Sequence, residues 1–357
     1  MELNFPLFKK VSETPGAPGF EQRIRQRIID EIQSFVDQIE VDNMGNLIAI
    51  KRGTSELKEE RKVMVAAHMD ELGLIVKYID QNGFIRFHTL GGFDPRTIIG
   101  QRIIIHGKQD IIGVIGIKPI HFMSEEERKR PIEIADLYID IGRNQQEAMK
   151  YIAIGDPITR ERSLIELGNC ITGKSLDNRT GVFVLIETLR GLKEVPYDVY
   201  AAFTVQEEVG LRGAQVAAHT INPYFSLALD TSTSLDMPGV QAHEKIATLG
   251  EGAGIKLMDS QTICDYRMVD YLKTIAAKHH IAWQTDIKSV GGTDTAPLQR
   301  MPKKGAIAGA VTIPIRYAHQ TVEVIHQADV VATIQLLQQA LSGLDTYDWS
   351  HGASKTV

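Results

Sequence analysis

With 357 residues, 43% of them apolar and 24% charged, the chain is long enough for about two structural units and has the composition of a globular protein. Its net charge of −6 and its lack of any long apolar run predict that it binds neither nucleic acid nor a membrane. Two cysteines and an N terminus without a signal-peptide pattern exclude a disulfide framework and favour a reducing, cytoplasmic location.

The first 70 residues predict the start of a layered α/β structure. Apolar residues recur at helical spacing over residues 20–36, which indicates a helix with one buried face. Two prolines and two glycines at residues 14–19 predict a loop ahead of it. Two short strands are predicted within residues 41–50. The uninterrupted apolar run at residues 63–67 is typical of a strand covered on both faces, as in a parallel sheet.

Residues 71–163 have a different pattern, in which short runs of β-branched residues alternate with turn residues. The predicted strands lie at residues 73–79, 84–88, 102–106, 111–117 and 137–141. A charged stretch at residues 124–130 indicates a surface loop or a short helix. We expect this segment to be a small inserted all-β domain that resembles a barrel.

Helix and strand patterns alternate again after residue 163. Predicted helices cover residues 177–190, 211–219, 266–278 and 327–341, and predicted strands cover residues 198–205, 225–229, 282–288 and 306–313. This alternation is typical of an α/β fold, in which a mixed sheet is flanked by helices. Residues 1–70 and 164–357 therefore predict one discontinuous α/β domain that is split by the β insertion.

Imidazole and carboxylate side chains recur where the predicted strands end. They are His68, Glu207, Glu208, Asp230 and His319, and Asp177 opens the helix predicted at 177–190. In open α/β sheets the carboxyl ends of the strands meet at one edge, where ligand sites form. Such side chains bind zinc and similar divalent cations, and two cations can share a carboxylate and activate one water. Five of these residues suit a dinuclear metal site, which leaves one glutamate as a proton acceptor.

Each of these residues also has an ordinary explanation when it is considered alone. Asp177 and Asp230 are acceptable helix caps, and a Glu-Glu pair is usually a solvated surface step. A His-x-Asp triplet after a strand is often only a polar pair. The joint occurrence of these residues at predicted strand ends favours the metal site.

Residues 168–175 raise a rival class, because their sequence GNCITGKS matches the P-loop of phosphate-binding NTPases. Two points argue against it. The intervening residues offer no additional glycine, and Asp177 places a negative charge at the helix end that would hold phosphate. Two further alternatives are an interaction protein with a decayed site and a related metallohydrolase that acts on acylated amino acids or glycans.

Five motifs together resemble the M42 family of metallo-aminopeptidases over nearly the whole chain. They are HMDELG at residues 68–73, LDNRTG at 176–181, TVQEEVGLRG at 204–213, GGTD at 291–294 and IRYAH at 315–319. The resemblance implies a zinc-peptidase-like catalytic domain that removes N-terminal residues from peptides. It also implies that residues 71–163 are a dimerisation domain and that dimers assemble further into a dodecamer.

The same resemblance assigns roles to individual residues. His68 and Asp230 would bind one divalent cation, Glu208 and His319 the other, and Asp177 would bridge both. Glu207 would be the general base that acts with a metal-bridging hydroxide, and Asp70 would orient His68. The cations would be zinc, with cobalt and manganese as alternatives. Asn178 departs from the family pattern, which often has a second Asp at this position.

Overall fold

The computed structural model describes residues 2–352 and has the alternating helices and strands of an α/β fold. The strands are β1 (Gln38–Val41), β2 (Leu47–Lys51), β3 (Val63–His68), β4 (Gly73–Ile79), β5 (Ile85–Leu90), β6 (Arg102–His106), β7 (Asp110–Gly116), β8 (Tyr138–Asp140), β9 (Pro157–Arg160), β10 (Ile165–Leu167), β11 (Cys170–Gly173), β12 (Val199–Thr204), β13 (Phe225–Thr233), β14 (Ala253–Met258), β15 (Trp283–Ile287), β16 (Ile307–Arg316) and β17 (Glu323–His326). The helices are α1 (Phe5–Glu13), α2 (Gln22–Ile32), α3 (Pro95–Ile98), α4 (Glu125–Lys129), α5 (Gln145–Ala148), α6 (Leu176–Gly191), α7 (Arg212–Ile221), α8 (Tyr266–Lys278), α9 (Thr295–Arg300) and α10 (Gln327–Ser342). Across residues 2–352, none of the helices combines the length and the hydrophobicity that a bilayer crossing requires.

The strands of residues 2–352 form two sheets. The larger has eleven strands in the order β1-β2-β12-β3-β13-β16-β17-β11-β10, with β14 and β15 attached beside β16. Strands β12, β3, β13 and β16 are parallel, so their carboxyl ends lie at the same edge. The smaller sheet closes into a barrel in the order β4-β5-β8-β7-β6-β9. The predicted fold class, a mixed sheet flanked by helices together with a β barrel, is confirmed.

Helix α6 lies in the middle of the larger core. Every residue from Leu176 to Ile186 is buried, as expected for a helix that is covered on all sides. Its Phe183 ring stacks on Phe8 of α1 with centroids 4.7 Å apart. The first turn is irregular, because Asp177 and Asn178 have non-helical backbone angles. The helix thus begins with a bend at the residue that the sequence proposes as a shared metal ligand.

The elements that the sequence pattern does not predict are short or depend on distant partners. Helix α1 has a proline, Pro6, in its first turn, where a helix tolerates it, and Asn4 caps the helix by accepting a hydrogen bond from Leu7 N–H at 3.3 Å. Strands β11 and β17 have four residues each and pair with each other across about 150 residues of sequence. Strands β9, β10 and β14 are likewise absent from the prediction.

Residues 168–175 do not form a P-loop. Cys170–Gly173 is strand β11, which pairs antiparallel with β10 and β17. Lys174 Nζ donates to both carboxylate oxygens of Glu71, at 2.6 and 2.7 Å, and Ser175 Oγ donates to the same carboxylate. The P-loop interpretation is therefore wrong, because the lysine and hydroxyl that would bind phosphate are bound to a buried carboxylate.

This buried ion pair joins the end of β3 to the start of α6. Replacing Lys174 with Met leaves the Glu71 carboxylate without its nearest cation, and breaking a buried pair in this way costs roughly 3 kcal/mol or more. We expect Lys174→Met to lower the free energy of unfolding by about that amount in urea denaturation. The double variant Glu71→Gln/Lys174→Met removes both charges and should recover part of the loss. An unchanged unfolding midpoint in Lys174→Met would show that the Lys174–Glu71 ion pair does not stabilise the fold.

Candidate metal centre

Three neighbouring strands of the large sheet bring ligands to one edge. Strand β3 ends at His68, opposite Thr204 at the end of β12. Strand β13 continues to Thr233, although its pairing with β3 stops at Ala228. The sequence predicts Asp230 at the end of a strand. In the structure it lies inside β13, because β16 pairs with β13 along its whole length. Beyond Ala228, β13 and β3 are no longer paired, and the Asp230 side chain lies close to His68.

Three buried side chains form a first group of potential metal ligands. His68 Nε2 lies 3.5 Å from Asp177 Oδ1 and 3.8 Å from Asp230 Oδ1. One donor atom from each side chain lies within 4.8 Å of the other two. Donors that surround a single zinc-sized ion, each about 2.1 Å from it, have separations of this order.

A second group uses the other oxygen of Asp177. His319 Nε2 lies 3.5 Å from Asp177 Oδ2 and 3.5 Å from Glu208 Oε2. These three side chains also offer donor atoms within 4.8 Å of one another. Asp177 thus belongs to both groups and directs one carboxylate oxygen toward each histidine.

Glu207 and Asp70 lie beside the first group. Glu207 Oε2 is 3.9 Å from His68 Nε2, and both side chains line one cavity, which is described below. Asp70 Oδ1 is 3.4 Å from His68 Nδ1. The two Asp70 oxygens also accept hydrogen bonds from the backbone N–H groups of Glu207 and Glu208, at 3.1 and 3.2 Å. Asp70 therefore connects the His68 segment to the turn that carries both glutamates.

The turn after β12 allows Glu207 and Glu208 to face the site together. Adjacent residues within a strand point to opposite faces, so the pair can cooperate only where the strand has ended. Strand β12 ends at Thr204, and Gln206 has a left-handed backbone with φ of 54°. The Glu21 carboxylate accepts a hydrogen bond from Gln206 N–H at 3.2 Å and thereby fixes the turn.

The bend at the start of α6 is held by hydrogen bonds on both sides. Glu323 Oε2 accepts from the backbone N–H of Asp177 at 3.0 Å. The Asn178 amide donates to Leu229 O at 2.8 Å and accepts from Gly181 N–H at 3.1 Å. A carboxylate at position 178 could not donate the first of these bonds. Asn178 therefore supports the bend, and its departure from the family pattern removes no candidate ligand.

Burial is the largest electrostatic effect in the cluster. It raises the pKa of Glu208 to about 8 and that of Asp230 to about 6, against the opposing effect of nearby histidines. It also raises the pKa of Glu207 well above its ordinary value. For Asp177 burial acts in the same direction, but the nearby imidazoles of His319 and His68 outweigh it and lower the pKa. The cluster holds more carboxylates than its histidines can neutralise, and a cation would relieve that excess.

Several polar atoms in the cluster lack partners. Among the residues that the structure describes, Asp177 Oδ1 and Glu208 Oε1 are buried without a hydrogen bond. Buried polar atoms are normally paired, so these require another explanation. Because imidazole nitrogen and carboxylate oxygen are the donors that zinc and related divalent cations take, the residues fit a metal centre.

Two further buried acids lie next to the site. Asp294 accepts a hydrogen bond from Thr204 Oγ at 2.6 Å, and burial raises its pKa to about 7. Burial likewise raises the pKa of Glu323 to about 7. Asp294 belongs to the GGTD motif, and that motif could have identified it as a residue near the site. Glu323 lies in a four-residue strand, where no pattern in the sequence marks it.

A cavity of about 460 Å³ opens above both groups, within the size range of small-ligand pockets. The candidate ligands and Glu207 line one end. The rest of the wall is formed mainly by glycine, polar and small apolar residues: Gly210, Leu211, Thr231, Thr233, Gln261, Lys288, Val290, Gly291, Gly292, Thr293 and Ala318. The site is therefore open to a ligand on the side away from the sheet.

Comparisons with known proteins show the family to which the chain belongs. Residues 45–336 match the M42 glutamyl aminopeptidase family. A putative aminopeptidase of Acetivibrio thermocellus is 37% identical over 94% of this chain and 98% of its own. A TET aminopeptidase from a marine sediment Thaumarchaeota archaeon has a TM-score of 0.91 at 32% identity, covering 95% of this chain and 96% of its own. Pyrococcus horikoshii TET1 peptidase, which can assemble into a tetrahedron or a large octahedral shell, has a TM-score of 0.83 at 33% identity, covering 94% and 98%. The chain belongs to the M42 glutamyl aminopeptidase family and is a hydrolase of the aminopeptidase class.

Proposed function

We propose that the chain removes N-terminal residues from peptides with the help of two divalent cations. His68, Asp177 and Asp230 would hold one cation, and Asp177, Glu208 and His319 the other. The observation that supports this most directly is the placement of Asp177, whose two oxygens each lie 3.5 Å from a different histidine. A carboxylate in that position can bridge two ions.

Zinc is the cation that this mixture of imidazole and carboxylate ligands favours, with cobalt and manganese as alternatives. Bound there, a pair of such cations would polarise the scissile carbonyl and lower the pKa of a water molecule. Asp70 would keep the His68 ring in its ligating orientation through the contact at Nδ1.

Glu207 is the proton acceptor in this proposal. It faces the cavity beside His68 and belongs to neither ligand group, so it is free to exchange a proton with a bound substrate. It would take a proton from the attacking water and deliver it to the departing amine. A peptide's free α-amine in its neutral form has a lone pair that one of the cations could take as a ligand. An internal peptide segment has no such amine, which favours cleavage from the N terminus.

The barrel strands β4–β9 fall within residues 71–163, which we propose to be an inserted assembly domain. The remaining residues, 1–70 and 164–357, would form the catalytic domain. By likeness to the TET1 peptidase of Pyrococcus horikoshii, which can assemble into a tetrahedron, dimers of this chain would build a dodecameric shell. Such a shell would admit peptides in preference to folded proteins.

A substrate panel tests the reaction class. Purified protein is incubated with zinc, cobalt or manganese and then with amino-acid anilides, N-acetylated amino acids and a soluble glucan. We expect hydrolysis of the amino-acid anilides only, measured as release of aniline, because the acetylated amino acids and the glucan lack a free α-amine. Hydrolysis confined to acetylated amino acids or to the glucan would replace the aminopeptidase proposal with the related metallohydrolase.

The role of Glu207 is tested by Glu207→Gln, which keeps the size of the side chain and removes the proton acceptor. We expect kcat to fall by about 100-fold to 10,000-fold while metal content and thermal stability stay at the wild-type level. Glu166→Gln, at an exposed position on β10, is the matched control and should retain full activity. Residual turnover of Glu207→Gln close to that of the control would rule out the assignment.

The role of Asp177 is tested by metal content. Asp177→Ala withdraws the ligand common to both groups and should release at least one ion per chain, measured by elemental analysis after dialysis. Asp230→Ala removes a ligand of the first group alone and should release no more than one. Full occupancy in Asp177→Ala would contradict a bridging carboxylate.

A further inference from the structure

The barrel lies directly against one of the two ligand groups. The segment between β5 and α3 passes beside Glu208 and His319 with two consecutive glycines. A Cβ atom built on Gly91 would lie 3.4 Å from Glu208 Cβ, and one built on Gly92 would lie 3.7 Å from His319 Nδ1. The barrel backbone thus forms part of the wall around the second group.

The loop that carries His319 has a conformation that requires support. It connects β16 to β17, and both Tyr317 and His319 have left-handed backbone angles, with φ of 62° and 63°. Residues other than glycine adopt this region only at a cost in free energy, so contacts from outside must hold them there. Within the loop, one hydrogen bond from Gln320 N–H to Tyr317 O closes the turn at 3.0 Å.

The support comes from the barrel. Arg160, at the end of β9, donates from its guanidinium to the backbone oxygen of Gln320, next to His319. Thr321 Oγ donates to the backbone oxygen of Thr97 in α3. Apart from the contacts of the His319 ring, these are the hydrogen bonds that reach residues 317–322 from other segments of residues 2–352. Arg160 is 5% exposed, and its guanidinium lies 6.0 Å from the centre of the Phe93 ring. The same arginine therefore holds both segments that flank the second group.

The first group is supported differently. His68 and Asp230 belong to strands β3 and β13, whose backbones are fixed by pairing inside the large sheet, with His68 opposite Thr204 and Asp230 opposite Thr312. A change in the barrel would therefore reach His319 before it reached these ligands.

We propose that Arg160 is a positioning residue through which the barrel holds His319 in place as a ligand of the second group. The barrel would then contribute to catalysis within its own chain, in addition to any part in assembly. This inference depends on the two-cation site proposed above.

The test is to titrate metal-free protein with zinc and with cobalt and to measure stoichiometry, affinity and the cobalt absorption spectrum. In Arg160→Met we expect one ion to bind as in the wild type and the affinity for the other to fall about 10-fold to 100-fold, the usual effect of removing a residue that orients a ligand. Thr321→Val, which removes one hydroxyl, should weaken the same ion to a smaller extent. In the double variant Arg160→Met/His319→Ala the two losses of metal affinity should not add, because both changes act on one ligand, His319.

Arg86→Met is the matched control in the barrel. Arg86 also donates to backbone oxygens, those of Ala135 and Leu137 at 2.9 Å, and it lies 5.7 Å from the Tyr138 ring, but it does not contact the His319 loop. This variant should bind both ions with wild-type affinity.

Equal weakening of both ions in Arg160→Met, or unchanged affinities accompanied only by a lower melting temperature, would overturn the inference. If Arg160→Met does not fold, Thr321→Val decides by the same criteria. Failure of the wild type itself to bind two ions would instead refute the proposed two-cation site, so the two failures are distinguishable.

Discussion

The dominant electrostatic feature of this structure is the concentration of buried carboxylates at one edge of the large sheet. Asp177, Glu207, Glu208 and Asp230 lie together with only two histidines among them, and burial favours their neutral forms. Such an arrangement is costly unless cations enter it. The same density of charge that destabilises the empty cluster would give it a high affinity for divalent metal.

Much of the surrounding structure holds these carboxylates in place. Asp70 accepts hydrogen bonds from the backbone of both glutamates, Glu323 accepts from the backbone of Asp177, and Glu71 joins the neighbouring segments through Lys174. These supporting residues are buried carboxylates, so each stabilises the fold only while its partner is present. A cation bound by the cluster that they hold would also stabilise the folded chain.

The two ligand groups rely on different parts of the molecule. The first is built on parallel strands whose pairing fixes the backbone, whereas the second includes a histidine on a loop held by Arg160 of the barrel. Because the first group lies on paired strands and the second includes a loop residue, we expect substitutions in different parts of the chain to affect them. Variation in the barrel would act on the second ligand group, and variation in the central strands would act on the first.

Hydrophobic periodicity and motif spacing are local properties, so they were enough to predict the fold class, most of the long elements and the set of candidate ligands. They could not determine that Asp230 lies inside β13, since that depends on how far β16 pairs alongside it. Short strands such as β11 and β17 are stabilised by pairing with each other, and their composition alone does not predict them. The GKS stretch shows the same limit: its lysine fits a phosphate loop in one dimension, and only the approach of Glu71 in three dimensions makes it part of a buried ion pair. Likewise, the hydrogen bond by which Arg160 supports the His319 loop joins residues 160 positions apart, and no local pattern in the sequence can reveal it.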